Sequence, residues 1–323
     1  MSNITEKENF LLCLEGKQPE WIPSYFDANA FLFSAAATRK IDAKGRDMDI
    51  YGIEFVATPD GALPENTKSG NFLLKDITKW KDVMPNINWA NYDWEAEARM
   101  HNAKINRDHQ LVNSVSGYIW EQLHYMMGVE NALLSLVIEP EAAYDCLNAM
   151  ADIVIEALRY QHKHLKPDMV ILMEHIATLR GPLMSPRTYR EIIKPVHKKV
   201  CDAIIELGAM PIMHCDGYIE ELIPDYVEIG CKMIKPLQPC NDINLYKEKY
   251  GLLAIGGWNA FGRGNQADTT EEEARASVRL AMDTYGPGGR YCFWQSGLTP
   301  RYNKIAEWIA DEARVYGKPF YKQ

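Results

Sequence analysis

Short apolar runs alternate with longer amphipathic ones along most of the chain. The runs at 169–173 (MVILM), 210–213 (MPIM), 232–234 (KMI), 252–255 (LLAI) and 291–294 (YCFW) show no polar alternation. That is the pattern of strands covered on both faces. Weaker strand candidates precede them at 21–26, 52–56 and 110–115. The segments between have helical ends. Glu139-Pro140 opens a helix over 141–165, with Ala142, Cys146, Met150, Ile153 and Leu158 close to a 3.6 spacing. Ser185 and Pro186 supply an N-cap and a first-turn proline for a helix that runs to Gly208. A third helix, 218–229, stops at Gly230, and Thr269-Thr270 opens a fourth that ends at Gly286-Pro287-Gly288-Gly289.

Strands separated by helices imply parallel pairing, and eight of them in one chain predict a (β/α)8 TIM barrel, an α/β fold. The stretch near residues 60–107, with Trp80, Trp89 and Trp94 and weak strand signals, reads as an insertion in a single domain spanning 1–323. A doubly wound sheet is the rival, but no GxGxxG follows a strand. Gly262-x-Gly264-x-x-Ala267 lies well past its strand and opens no helix directly.

Length and charge narrow this further. At 323 residues the chain is long enough for two domains of about 150 residues, or for one barrel with an insertion. Lys and Arg number 35 against 44 Asp and Glu, a net charge of −9 with no dense basic run, so nucleic acid is not an expected partner. No apolar run approaches the ~20 residues of a membrane span. The opening Met1-Ser2-Asn3-Ile4-Thr5-Glu6-Lys7 lacks the basic-then-apolar layout of a signal peptide, and a soluble cytoplasmic protein is expected. Seven scattered cysteines without a CxxC pair read as free thiols.

A barrel places function at the C-terminal ends of its strands. There the chain carries Asp27, Glu174-His175, His214-Cys215-Asp216-Gly217, Gln238-Pro239-Cys240, Trp258-Asn259 and Gln295-Ser296. Residues i and i+2 of a strand share a face, so His214 and Asp216 can aim at one point. With Glu174 from the next strand they make a three-ligand set that suits zinc and leaves a position open. The same residues also fit a general acid/base with its orienting carboxylate, or a structural pair. Glu174, His214 and Asp216 are thus the expected catalytic and metal-holding residues. Asp27, Tyr118, Trp120, His175, Trp258, Asn259 and Gln295 are the expected substrate contacts, with Tyr125 and Trp294 as further aromatic candidates.

In their order and spacing, several motifs resemble the uroporphyrinogen decarboxylase superfamily, whose (β/α)8 barrels include corrinoid-dependent methyltransferases. They are KENFLLCLEGKQPEWIP at 7–23, Gly128-Val129-Glu130, Glu139-Pro140-Glu141, Met184-Ser185-Pro186, Tyr189, Lys194-Pro195, His214-Cys215-Asp216-Gly217 and the closing glycines, with Asn303 opening the last helix. The decarboxylase branch carries an Arg-rich segment after the first strand, which holds porphyrinogen carboxylates. Here that segment is DANAFLFSAAA at 27–37, without Arg until Arg39. The methyltransferase branch typically carries a zinc site of His-x-Cys after strand five and a further Cys after strand eight, a thiolate-rich set suited to thiol acceptors. Here Asp216 stands at the first Cys position and Gln295-Ser296 where the second is expected. The resemblance therefore implies a first methyltransferase of an O-demethylase system, taking methyl from a methoxylated aromatic to the cob(I)alamin of a separate corrinoid protein, with zinc as the metal. No Asp-x-His-x-x-Gly for cobalamin occurs in the chain itself. A decarboxylase-like lyase and a methylcobamide-to-thiol transferase are the alternatives, and a homodimer is left open.

Overall fold

The computed structural model describes residues 4–34, 39–58, 61–295 and 303–322. Among these, seven parallel strands form one curled sheet, side by side in chain order. They are β1 (Asn29–Leu32), β6 (Leu111–Gly117), β7 (Met169–Met173), β10 (Met210–His214), β11 (Met233–Leu237), β12 (Leu253–Gly257) and β13 (Tyr291–Trp294). The two edges meet through a single parallel bridge from Ser24 to Phe293, and the Phe293 N–H donates to the Pro23 carbonyl at 2.9 Å.

The curl gives each strand an inner and an outer face; in β6 the buried Asn113, Ser114 and Ser116 pair with Asn29 and Gln161, and in the five later strands both faces are largely apolar. Met169 and Ile171, Ile212, Met233, Leu253 and Ile255, Cys292 and Trp294 pack together inside the curl. Their neighbours Val170, Leu172, Met213, Ile234, Ala254 and Phe293 join the core beneath the helices. This two-sided burial erases the alternation that marks a half-exposed strand, so the five later strands read as nearly continuous apolar runs. The helices over Pro140–Leu165, Lys194–Glu206 and Glu271–Tyr285 form the outer layer. Ser185 and Thr270 cap as expected, each accepting a backbone N–H three residues on. No helix among the described residues is long and apolar enough to cross a membrane.

Two of the eight expected barrel strands are corrected. Within 21–26 only Ser24 pairs with the sheet, and Tyr25–Ala28 turn as a short helix before β1. Pro23 lacks the N–H that a strand would need there. Of residues 52–56, those from Glu54 onward belong to a separate antiparallel sheet of β2 (Arg39–Ile41), β3 (Asp47–Asp49), β4 (Glu54–Thr58) and β5 (Gly61–Pro64). Gly52, at φ +84°, turns the chain from β3 into β4. The insertion thus starts near Arg39 rather than at residue 60. Its Tyr51, Ile53 and Phe55 join the main core. A two-strand hairpin, β8 (Ala177–Thr178) and β9 (Gly181–Pro182), follows β7.

Candidate metal centre

Strand parity decides which side chains meet at the C-terminal end of the sheet. Ile212 faces inward, so His214 and Asp216, two and four residues on, do too. Ile171 faces inward, which carries Met173 and His175 to the same side. Glu174 then points outward with Leu172. His175, His214 and Asp216 offer ligand atoms that all lie within 4.8 Å of one another. His175 Nε2 stands 3.2 Å and His214 Nε2 3.4 Å from the same Asp216 oxygen, Oδ2.

The electrostatics follow from this packing. Burial alone would raise Asp216, but hydrogen bonds from both imidazoles hold it well below the usual carboxylate range. Burial opposes charge on His175, yet bonds to Asp216 and Glu121 push it up to about 10. His214 is driven down to about 4, chiefly by burial, and stays a neutral imidazole. Its Nδ1 is buried without a hydrogen-bond partner among the described residues.

Glu121 completes the arrangement from behind. Its Oε2 lies 2.8 Å from His175 Nδ1 and 3.0 Å from His124 Nε2, and its Oε1 accepts from the Tyr125 hydroxyl. A carboxylate on the far nitrogen of a histidine fixes the tautomer and ring orientation, as behind histidine ligands of metals. Two imidazoles, one of them with an orphaned buried nitrogen, and a carboxylate fit a borderline metal such as zinc.

Glu174 is not part of this group. It is fully buried, and its two oxygens accept the backbone N–H groups of Ile119 at 2.8 Å, Trp120 at 2.9 Å and Glu121 at 3.3 Å. It caps the helix Trp120–Met127, whose first N–H groups would otherwise be buried without partners. His175, expected as a substrate contact, takes the place assigned to Glu174.

Beside the three residues opens a cavity of about 480 Å³, walled by Phe26, Phe31, Phe33, Tyr118, Met173 and Trp294 and reached by Lys235. Phe31 and Phe33 stack with centroids 6.4 Å apart, and the Trp294 ring lies 6.1 Å from that of His214. Burial lowers the Lys235 amine to about 7.

Of the other expected contacts, Tyr118 lines the cavity. Asp27 instead faces outward and holds Arg314 through both oxygens at 2.6 and 2.9 Å. Trp120 is wholly buried in the core. Trp258 packs under the helical layer and donates to Ser277 Oγ at 2.8 Å. Asn259 accepts the Phe261 N–H in a loop over a different hollow, and Gln295 is absent from the cavity wall formed by the described residues. Cys215 points outward, where burial pushes its thiol up to about 12, and Cys240 is exposed. Ser296 lies outside the described residues. Glu121 and Lys235 were not anticipated. Lys235 had a signal: a lysine inside the apolar run of β11 must face something other than lipid-like core.

The family model described as uroporphyrinogen decarboxylase (URO-D) matches residues 52–257. No curated protein matches the chain. Among solved structures the chain is similar to a methyltransferase from Methanosarcina mazei, with a TM-score of 0.60 and 12% identity over 97% of this chain and 99% of that one. At that identity the likeness is one of fold.

Proposed function

The chain belongs to the uroporphyrinogen decarboxylase family, and we propose that within it the protein moves a methyl group from a methoxylated aromatic to the cob(I)alamin of a separate corrinoid protein. The observation that carries this is the His175–His214–Asp216 group opening onto an aromatic-walled cavity into which no thiol among the described residues turns. Nitrogen and oxygen ligands suit an oxygen substrate, whereas thiol activation favours thiolate-rich zinc. Cys215 faces away from the cavity and Cys292 packs inside the sheet below it, which counts against the methylcobamide-to-thiol alternative. Among the described residues the cavity wall offers Lys235 and imidazoles but no Arg, a poor match for the many carboxylates of a porphyrinogen.

An aryl methyl ether reacts slowly because phenolate is a poor leaving group. A bound zinc would supply a Lewis acid at the ether oxygen, worth several kcal/mol of developing charge. The chain's residues provide the rest. Glu121 fixes His175 so that Nε2 faces the cavity. Burial keeps His214 neutral and ready to ligate, whereas His175, which Glu121 and Asp216 hold protonated, would have to release a proton as the metal binds. Phe31, Phe33 and Trp294 present ring faces and edges that hold an aromatic plane and exclude water. The methyl carbon must face outward, where a second protein can deliver its acceptor. The O–CH3 bond breaks with its electron pair left on oxygen, and the methyl passes to the acceptor.

The test is an anaerobic assay with zinc, a reduced corrinoid protein and a panel of methoxylated aromatics, following release of the phenol. Stoichiometric phenol is the expected result. A panel left untouched under those conditions overturns the proposal.

A further inference from the structure

Lys235 is the cavity residue that methyl transfer as described above leaves without a task. β11 carries it inward beside His214, its register partner, and it is 4% exposed. Its ammonium lies 4.5 Å from the centre of the Trp294 ring, 5.0 Å from Tyr25 and 5.6 Å from Phe31. Among the described residues no carboxylate or carbonyl accepts a hydrogen bond from it, although Asp216 acts on it at longer range. Burial away from any bonded anion disfavours the charged form of this amine, and the ring faces offset only part of that cost. Methionine would fill the same space at no such cost. An amine kept there, open to the cavity and without a hydrogen-bonded anion among the described residues, gains its full charge when an anion arrives with the ligand.

We propose that Lys235 anchors a carboxylate on the substrate, so that the site selects methoxylated aromatic acids over neutral aryl ethers. This rests on the methyl-ether reading of the same cavity. Trp294 connects the two ends, since its ring neighbours both the His214 imidazole, at 6.1 Å, and the Lys235 ammonium. A flat ligand lying along Trp294 spans from one to the other. The aromatic faces are also already engaged by an internal cation, which disfavours a quaternary ammonium donor there.

The experiment is calorimetric binding of 4-methoxybenzoate and of its neutral isostere 4-methoxybenzamide to the zinc-loaded full chain. The wild type should prefer the acid by about tenfold or more, the scale of a buried charge-assisted contact. Lys235→Met should erase that preference while melting no lower than wild type, and Lys235→Arg should keep most of it. Equal affinities in the wild type, failure of both ligands to bind, or a preference surviving in Lys235→Met each overturn the anchor. A parallel methyl-transfer assay separates the two ideas. Turnover of both ligands without discrimination sinks the anchor alone, whereas discrimination without turnover sinks the methyl-ether reading and leaves an aromatic-acid site.

Discussion

Glu121 and Glu174 are buried carboxylates on neighbouring elements, and substitution should tell them apart. Glu174 satisfies three backbone N–H groups at the start of Trp120–Met127. Glu174→Gln loses the charge and leaves at least one of those donors unpaired, so a loss of about 2–3 kcal/mol is expected in denaturant unfolding, with zinc still bound. Glu121→Gln should show the reverse pattern, a nearly unchanged midpoint and zinc affinity reduced about 10–100-fold by competition titration. Zinc lost from Glu174→Gln but kept by Glu121→Gln would invert the assignment. The His214–Asp216 pair was legible in the sequence because the i, i+2 rule needs only the strand. The choice between Glu174 and His175 was not. It depends on which parity of β7 faces inward, and a run buried on both faces carries no mark of that. Only the pairing of His214 with Met173 in the next strand fixes it.

At the scale of the element, the turn after β10 aims the site. Gly217 sits at φ +93°, and a Cβ there would come within 2.5 Å of the Thr178 carbonyl in the β8 hairpin. Its N–H donates to Gln238 Oε1 at 2.9 Å and its carbonyl accepts from Asn241 at 2.8 Å, tying β10 to the end of β11. Gly217→Ala must move this crossing and, with it, Asp216. We expect a loss of about 1–3 kcal/mol in unfolding and a marked drop in zinc stoichiometry; full zinc occupancy with an unchanged midpoint would contradict the role given to this turn. The later strands were legible because helix caps bracket each apolar run on both sides. The early ones were not, since β1 follows a helical turn and β4 pairs within the inserted antiparallel sheet. Short range sequence carries no record of which sheet a strand joins.

For the molecule as a whole, the cysteines report the packing. Of the seven free thiols, Cys240 is exposed and the other six are buried. Burial pushes Cys13, Cys146 and Cys215 up to about 12. A native Ellman titration should therefore register one fast thiol, and a denatured one all seven; several fast thiols in the native protein would mean a looser core than described. The net charge of −9 argued at first only against nucleic acid, and the cavity makes the charge pattern local. Basic side chains, Lys235, His175 and His214, gather around Asp216 where the ligand is expected, within a chain that is acidic overall. The central claim is that His175, His214 and Asp216 hold a metal that activates a methyl ether for transfer. The most direct measurement follows cob(I)alamin absorbance under anaerobic single-turnover conditions, with a corrinoid protein, 4-methoxybenzoate and three enzyme forms: zinc-loaded, zinc-stripped and His214→Ala. Conversion of cob(I)alamin to methylcobalamin by the zinc-loaded form alone, at least about 100-fold faster than by the other two, is the predicted result. Equal rates in all three forms, or no conversion by the loaded one, would contradict it.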